Sequence, residues 1–388
     1  MVASKFQNNV KESCRLCGSE IDNYLIIYEG MPKSAQNFPD SPDEDAGEDL
    51  SVIQCPWCGL VQLAGSPVPY YRDVIRASAV SAEMREFRKN QFSLFVRDNN
   101  LFGKKIIEIG AGNGEYMSAF ENIDAHIFGL ENSKNNSASI YKGFVENECY
   151  YIPNSPYDAF YCLNFLEHIP SPKSFLRGIV CNLTEDGVGI IEVPNTDMIF
   201  KTGLFSEFIH DHLMYFTKDT FRLMLETNGF SVVSLDVIWH NYIISAVVKK
   251  KHIKNVNNFL ENRKTLTDSI HAYLDQKSDE GKIIASWGAG HQALAVLALS
   301  GIGGKIQYVI DSADFKQNKL TPATHIPIIS PSKINELGID CIIVMAASYS
   351  SEVVKLINEN YTHIEVAVIE NNKITEVSKK DCGNSLKV

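Results

Sequence analysis

The sequence predicts an α/β protein built on two mainly parallel sheets, with a small cysteine-tied module at its N-terminus. Three observations carry that expectation. An apolar strand beginning at Ile106 breaks into glycines at 110, 112 and 114, and the acid Glu131 follows Gly110 by 21 residues. Nearer the other end, Lys282-Ile-Ile-Ala-Ser-Trp287 runs into Gly288 and Gly290, with Asp311 23 residues beyond Gly288. Cys14-Arg-Leu-Cys17-Gly18 and Cys55-Pro-Trp-Cys58-Gly59 form two matched knuckles. A strand, a glycine turn, a helix and a second strand ending in an acid is the spacing of a Rossmann-like nucleoside-binding unit. The chain therefore divides into a module over 1–75, a first unit over 76–250 and a second over 251–388.

Length and composition agree. A chain of 388 residues exceeds what one hydrophobic core organises, and 45% apolar content suits a globular protein. The formal net charge of −11 offers no basic surface for phosphate backbones, so no nucleic-acid partner is expected. No apolar run reaches the length of a membrane span and Met1–Asn8 lacks the apolar core of a signal peptide, so a cytoplasmic location without a membrane partner is expected.

Nine cysteines fit a reducing compartment better than a disulfide framework. Each knuckle is a tight turn that points two sulfurs at one centre, and four thiolates from Cys14, Cys17, Cys55 and Cys58 suit tetrahedral Zn²⁺. With no open coordination position suggested, that zinc is expected to be structural, tying a module too small to hold a core alone. The acidic stretch Asp40–Asp49 between the knuckles reads as a solvated loop. Cys162 and Cys341 lie in apolar strands and read as core.

At the first loop, Gly110 and Gly112 bring backbone close to a ligand, and Gly114 lets a helix over Tyr116–Phe120 pack on the strand. Glu131, closing the strand His126–Glu131, is placed to accept ribose hydroxyls. A dinucleotide has the same needs, but Glu108, two residues before the first glycine, would repel a pyrophosphate and suits a cationic amino-acid end. The loop thus reads as an S-adenosylmethionine site formed by Glu108, Gly110, Ala111, Gly112, Gly114, Glu131 and Asn132. The strand that starts at Tyr157 ends in polar residues, which puts Asn164, Glu167 and His168 at the same carboxyl-end crevice, Asn164 as a further cofactor contact. These stretches resemble a class I methyltransferase core over roughly residues 80–250.

The helical pattern that carries Phe87, Phe92 and Phe95 is expected to cover this cleft. Tyr71 and Arg76, just before it, are candidate substrate contacts. Within Phe205–Thr217, two histidines flank one carboxylate: His212 reads as a general base, with Asp211 or Glu207 nearby to raise its basicity and His168 placed beside it. The segments Val256–Arg263 and Thr267–Gln276 are amphipathic and are expected to bridge the two sheets. At the second loop the first glycine follows Trp287 and has no acid two places earlier, so a phosphate at the helix N-terminus is electrostatically allowed. A ligand-free structural unit has the same spacing.

Taken as a whole, the chain resembles the zinc-containing nucleotide-sugar C-methyltransferases of deoxysugar and O-antigen pathways. The resemblance rests on the paired CxxCG knuckles, the Glu108–Gly114 loop, Glu192-Val-Pro194, His210-Asp-His-Leu-Met-Tyr-Phe216, Trp287-Gly-Ala-Gly290 and Thr324-His-Ile-Pro-Ile328. It implies that His212 is the base, aided by Asp211 and His168, and that the C-terminal unit binds the sugar nucleotide through Gly288, Gly290, His291, Asp311 and Lys316. It also implies methylation of the carbon next to the keto group of an NDP-4-keto-deoxysugar, and a monomer is expected. Two positions depart from the family pattern: Asp211 replaces a glutamate, and Ile209 replaces a tyrosine whose phenol could stabilise an enolate. O- or N-methylation of a sugar is one alternative. An NAD-dependent oxidoreductase, or a non-catalytic nucleotide-binding protein using the Gly288 loop, is another.

Overall fold

The computed structural model describes residues 11–35, 38–44, 46–72, 80–133 and 137–377. They form two compact units divided between His252 and Ile253.

The first unit is organised by a seven-stranded sheet. Its strands run in the order Phe230–Ile238, Ile243–Lys250, Leu183–Pro194, Tyr157–Leu163, Lys105–Ile109, His126–Glu131 and Ile140–Lys142. Five neighbouring strands, from Leu183–Pro194 to Ile140–Lys142, are parallel, and the two remaining pairings are antiparallel. Because Lys105–Ile109 and Tyr157–Leu163 are adjacent and parallel, the glycine turn and Asn164 leave the sheet at the same edge. The strands are apolar on both faces, as burial on both sides requires: Ile106, Ile107, Ala159, Phe160 and Tyr161 are all inaccessible to solvent.

Helix Ala82–Asp98 is N-capped by Ser81, whose side chain accepts from Met84 N, and buries Arg88, Phe92, Phe95 and Val96. After the glycine turn the chain makes one 3₁₀ turn, Met117–Phe120, where the sequence suggests a helix from Tyr116. Phe120 is stacked on Phe92 and Tyr161 at 4.5 and 5.4 Å, and this packing fixes the segment after a single turn.

The first knuckle turns between the paired strands Glu12–Ser13 and Glu20–Ile21, and the second belongs to an antiparallel sheet whose order is Met214–Tyr215, Val61–Leu63, Glu48–Gln54 and Tyr24–Met31. Its edge strand thus comes from far along the chain. Cys14, Leu16, Ile21 and Leu60 share one core with Ile107, Phe175, Leu213 and Phe216. The N-terminal segment makes up for its lack of a core by continuing into that of the large sheet.

The second unit opens with one long helix, Asn257–Asp279, where the sequence suggests two segments. Its sheet runs Ile328–Ile329, Tyr308–Ile310, Ile284–Trp287, Cys341–Val344, Glu365–Glu370 and Lys373–Glu376, parallel except at the last pair. Cys162 and Cys341 are buried in their strands. No helix among the described residues is long and apolar enough to cross a membrane.

Candidate active site

The first glycine loop is held by backbone bonds to the neighbouring strand, with Gly110 N and Ala111 N both donating to Leu130 O at 3.0 and 3.1 Å. Gly110 has φ +80°, and a Cβ there would lie 3.0 Å from the Phe165 ring, so only glycine allows the turn and the close approach together. Glu131 is buried at the end of its strand. One carboxylate oxygen accepts Gly112 N and the other Ser133 N, both at 2.8 Å. Beside it a recess is lined by Gly110, Glu131, Asn132, Phe144 and Phe165. Tyr71 packs edge-on against Phe144 at 5.8 Å. Arg76 lies outside the described residues.

Glu108 sits beneath this loop, buried, with its carboxylate accepting the Tyr161 hydroxyl at 3.1 Å. Burial holds its pKa well above the ordinary carboxylate range. Burial thus favours its protonated form, and a cation brought beside it would favour the carboxylate. These residues fit S-adenosylmethionine: a floor free of side chains, an acid at the ribose distance, and a buried acid for which a cationic ammonium is the natural partner.

Asn164 follows its strand in the left-handed region, φ +47°, and the chain then folds into the 3₁₀ turn Leu166–His168. His168 and His212, 44 residues apart, meet edge to face with ring centroids 4.8 Å apart. His168 Nδ1 lies 2.6 Å from the Asp211 carbonyl, to which a protonated Nδ1 donates, leaving Nε2 as an acceptor. Burial depresses both imidazoles, His168 to about 4 and His212 to about 3, the latter also through its neighbour His168. Both are neutral at pH 7.

The carboxylates expected beside His212 face elsewhere. Asp211 is buried, but its two oxygens accept the Tyr70 hydroxyl at 2.7 Å and Ala35 N at 3.0 Å, so it ties the N-terminal segment to this loop instead of touching the base. Glu207 accepts the Tyr242 hydroxyl. The acid that does approach the pair is Glu167. It is buried, one oxygen lies 3.9 Å from His168 Nε2, and its ligand atoms fall within 4.8 Å of those of both histidines. Burial raises its pKa to about 8. His210 is bound to Pro32 O, outside the pair. Tyr215, three residues past His212, exchanges hydrogen bonds with the Ile209 backbone, so its phenol is already engaged.

At the second loop Gly288 has φ +116°, and a Cβ would lie 2.7 Å from Met345 O. Asp311 accepts Ala289 N at 2.8 Å, Ala313 N at 2.9 Å and Lys316 Nζ at 2.9 Å, donors that hold its pKa below the ordinary range. Gly290 caps the helix His291–Leu299, and His291 is exposed at its first position.

The four cysteine sulfurs cluster within 4.8 Å of one another, with Cys14–Cys58 at 3.4 Å and Cys17–Cys55 at 3.5 Å. Tetrahedral zinc thiolates lie about 3.8 Å apart, so the donor set fits such an ion.

One site feature was not anticipated from the sequence. Arg88 and Glu192, both without solvent exposure, form an ion pair at 2.6 Å beside the first loop. The signal was available: Arg88 stands on the helix stripe of Phe92, Phe95 and Val96, where a cation has no place unless it is paired.

Comparison with known proteins bears on the reaction. Residues 246–365 match the family model for a C-methyltransferase C-terminal domain, and residues 80–235 match one for a methyltransferase domain. The C-methyltransferase NovU of Streptomyces niveus is 24% identical over 387 aligned positions, covering 88% of this chain and 91% of that protein. The chain is an S-adenosylmethionine-dependent methyltransferase whose C-terminal region matches that of the C-methyltransferases. This chain also aligns with a ubiquinone biosynthesis O-methyltransferase of Glaesserella parasuis, at 26% identity over 26% of this chain and 49% of that one. Among solved structures, an S-adenosylmethionine-dependent methyltransferase from Clostridium acetobutylicum has TM-score 0.37 and 11% identity, covering 43% of this chain and 92% of its own. Magnesium protoporphyrin IX methyltransferase from Synechocystis, with bound S-adenosylhomocysteine, has TM-score 0.34 and 15% identity, covering 45% of this chain and 90% of its own. The glycine loop and Glu131 of this chain lie within the matched methyltransferase domain, and the Gly288 loop lies within the matched C-terminal domain.

Proposed function

We propose that this methyltransferase methylates carbon next to the keto group of a nucleotide-linked 4-keto-deoxysugar, with His212 as the base. The observation that carries the reading is the neutral His168–His212 pair at the sheet edge that also bears the glycine loop. S-adenosylmethionine, held by Gly110, Ala111, Gly112, Gly114, Glu131 and Asn132 with Glu108 beneath and Asn164 alongside, supplies the electrophilic methyl group. His212 takes the acidic C–H proton on an imidazole nitrogen, and the electron pair left behind delocalises into an enolate whose carbon is the nucleophile. His168, fixed by the Asp211 carbonyl, orients the pair. Asp211 acts as a tether instead of a proton acceptor.

In this reading residues 251–388 bind the sugar nucleotide at the Gly288 loop, with Gly290, His291, Asp311 and Lys316 contacting it, and Tyr71 and Arg76 touch the sugar. The four cysteines hold a structural zinc within a module over 1–75, and 76–250 is the catalytic domain. The enzyme works as a cytoplasmic monomer.

Replacing His212 with Asn tests the base. Turnover is expected to fall by about 100-fold or more, while calorimetric affinities for S-adenosylhomocysteine and the sugar nucleotide stay within a few-fold of the parent. Full turnover in that variant rejects the assignment. NMR of the product separates carbon from oxygen or nitrogen methylation.

A further inference from the structure

Arg88 is a buried cation with unused donors at the edge of the cofactor site. Its Nη1 lies 2.6 Å from both Gln91 Oε1 and Glu192 Oε2. The other Glu192 oxygen accepts Gln91 Nε2 at 2.5 Å and Ser245 Oγ at 2.9 Å, which fixes the acid in place. Arg88 Nε and Nη2, on the opposite side of the guanidinium, have no hydrogen-bond acceptor although the side chain is fully buried. Native folds rarely leave such donors empty, and where they do a ligand is a frequent reason.

The surroundings say which ligand. The guanidinium carbon stands 5.3 Å over the ring of Tyr116, two residues past Gly114. Burial raises the Tyr116 pKa, and both the charge of Arg88 and a side-chain approach of Arg88 to the phenol oppose that rise. Glu108, beneath the loop, also feels that charge. Glu192 pairs with Leu163, and its carbonyl accepts Asn164 N, so the ion pair sits at the sheet edge from which the glycine loop leaves. S-adenosylmethionine brings both an ammonium and a carboxylate to this place. Glu108 suits the first and cannot take the second.

We propose that Arg88 binds the carboxylate of the cofactor's amino-acid end side-on, through Nε and Nη2. Glu192, Gln91 and Ser245 serve as its mount. The planar guanidinium matches a carboxylate with two parallel hydrogen bonds, which a lysine ammonium cannot reproduce. The inference rests on the chain's dependence on S-adenosylmethionine, and it can fail while that dependence stands.

The test is a thermodynamic cycle by calorimetry on the full-length protein, with S-adenosylhomocysteine and its decarboxylated analogue as the two ligands. The parent is expected to bind the analogue about 10- to 100-fold more weakly. In the double variant Arg88→Gln/Glu192→Gln, which leaves no buried acid unpaired, S-adenosylhomocysteine should weaken by a similar factor and the two ligands should bind within about threefold of each other. Arg88→Lys should keep only part of the discrimination. A variant that weakens both ligands equally and preserves their ratio makes Arg88 a merely structural residue and overturns the inference. So does a parent protein that binds the two ligands alike, a measurement that needs no variant to fold. If the parent binds neither ligand, the cofactor reading of the first loop falls, and this inference falls with it.

Discussion

The two glycine loops share a backbone design and differ in charge. In each, the acid that closes the second strand accepts a loop amide through one oxygen and the amide two residues past itself through the other: Gly112 and Ser133 on Glu131, Ala289 and Ala313 on Asp311. Two places before the first glycine, however, one loop has the buried acid Glu108 and the other has Ser286. Lys316 then adds a cation to the second loop's acid. The first loop suits a ligand with a positive end, whereas the second tolerates an anion. The glycines differ as well: Gly110 gives way to a ring, Gly288 to a backbone carbonyl that cannot move aside. Similar loop geometry therefore says little about the ligand until the flanking charges are read.

That contrast can be broken at several points. The largest effect is expected from Gly288→Ala, where a Cβ would meet Met345 O at 2.7 Å in a left-handed conformation. Chemical denaturation of the second unit should show a loss on the order of 3 kcal/mol. Gly110→Ala should cost less, because the Phe165 ring can rotate. Next comes Glu131→Ala, expected to weaken S-adenosylhomocysteine by about 30- to 100-fold with the sugar-nucleotide affinity unchanged. Lys316→Ala should do the reverse, weakening the sugar nucleotide by about 10-fold and leaving the homocysteine ligand alone. If either variant weakens both ligands alike, the division of labour between the loops is wrong.

A different kind of effect is a loss of stability with rising pH, expected in the first unit. Glu167 titrates at about 8 in the folded protein, above its ordinary value of 4.5, so the folded state holds a proton that the unfolded chain releases. Its contribution is present at pH 4.5 and is lost as the pH rises to 8. Glu167→Gln should match the parent near pH 4.5 and exceed it by a growing margin as the pH rises to 8. The histidines run the other way: with folded values near 4 and 3, they favour the fold above about 6.5 and cost stability as the pH falls below that. Equal pH dependence of the melting temperature in parent and variant would show that Glu167 is solvated.

Much of this was legible in the chain. The glycine spacings, the terminal acids and the knuckles are local signals, and each corresponds to a local backbone requirement. His168 could be paired with His212 because strand ends of a parallel sheet collect at one edge. What local patterns could not give was orientation. Asp211 adjoins His212 in sequence yet its carboxylate turns toward Tyr70, because Ala35 N and that phenol offer it two donors. Glu167, one residue before His168, supplies the nearby acid instead. Arg88 was hidden for a different reason: its partner Glu192 is 104 positions away, and only the sheet brings them together.

The strand Met214–Tyr215 begins two residues after His212 and forms the edge of the sheet that carries the second knuckle, with Leu63 N bonded to Leu213 O. The cysteine segment is thus a wall beside the histidine pair. Trimming the chain down to its methyltransferase match would strip that wall away, and the histidine loop would be left hanging from a single hinge. Any attempt at a minimal enzyme must keep the four cysteines, and disturbing their cluster should be felt first as a misplaced imidazole.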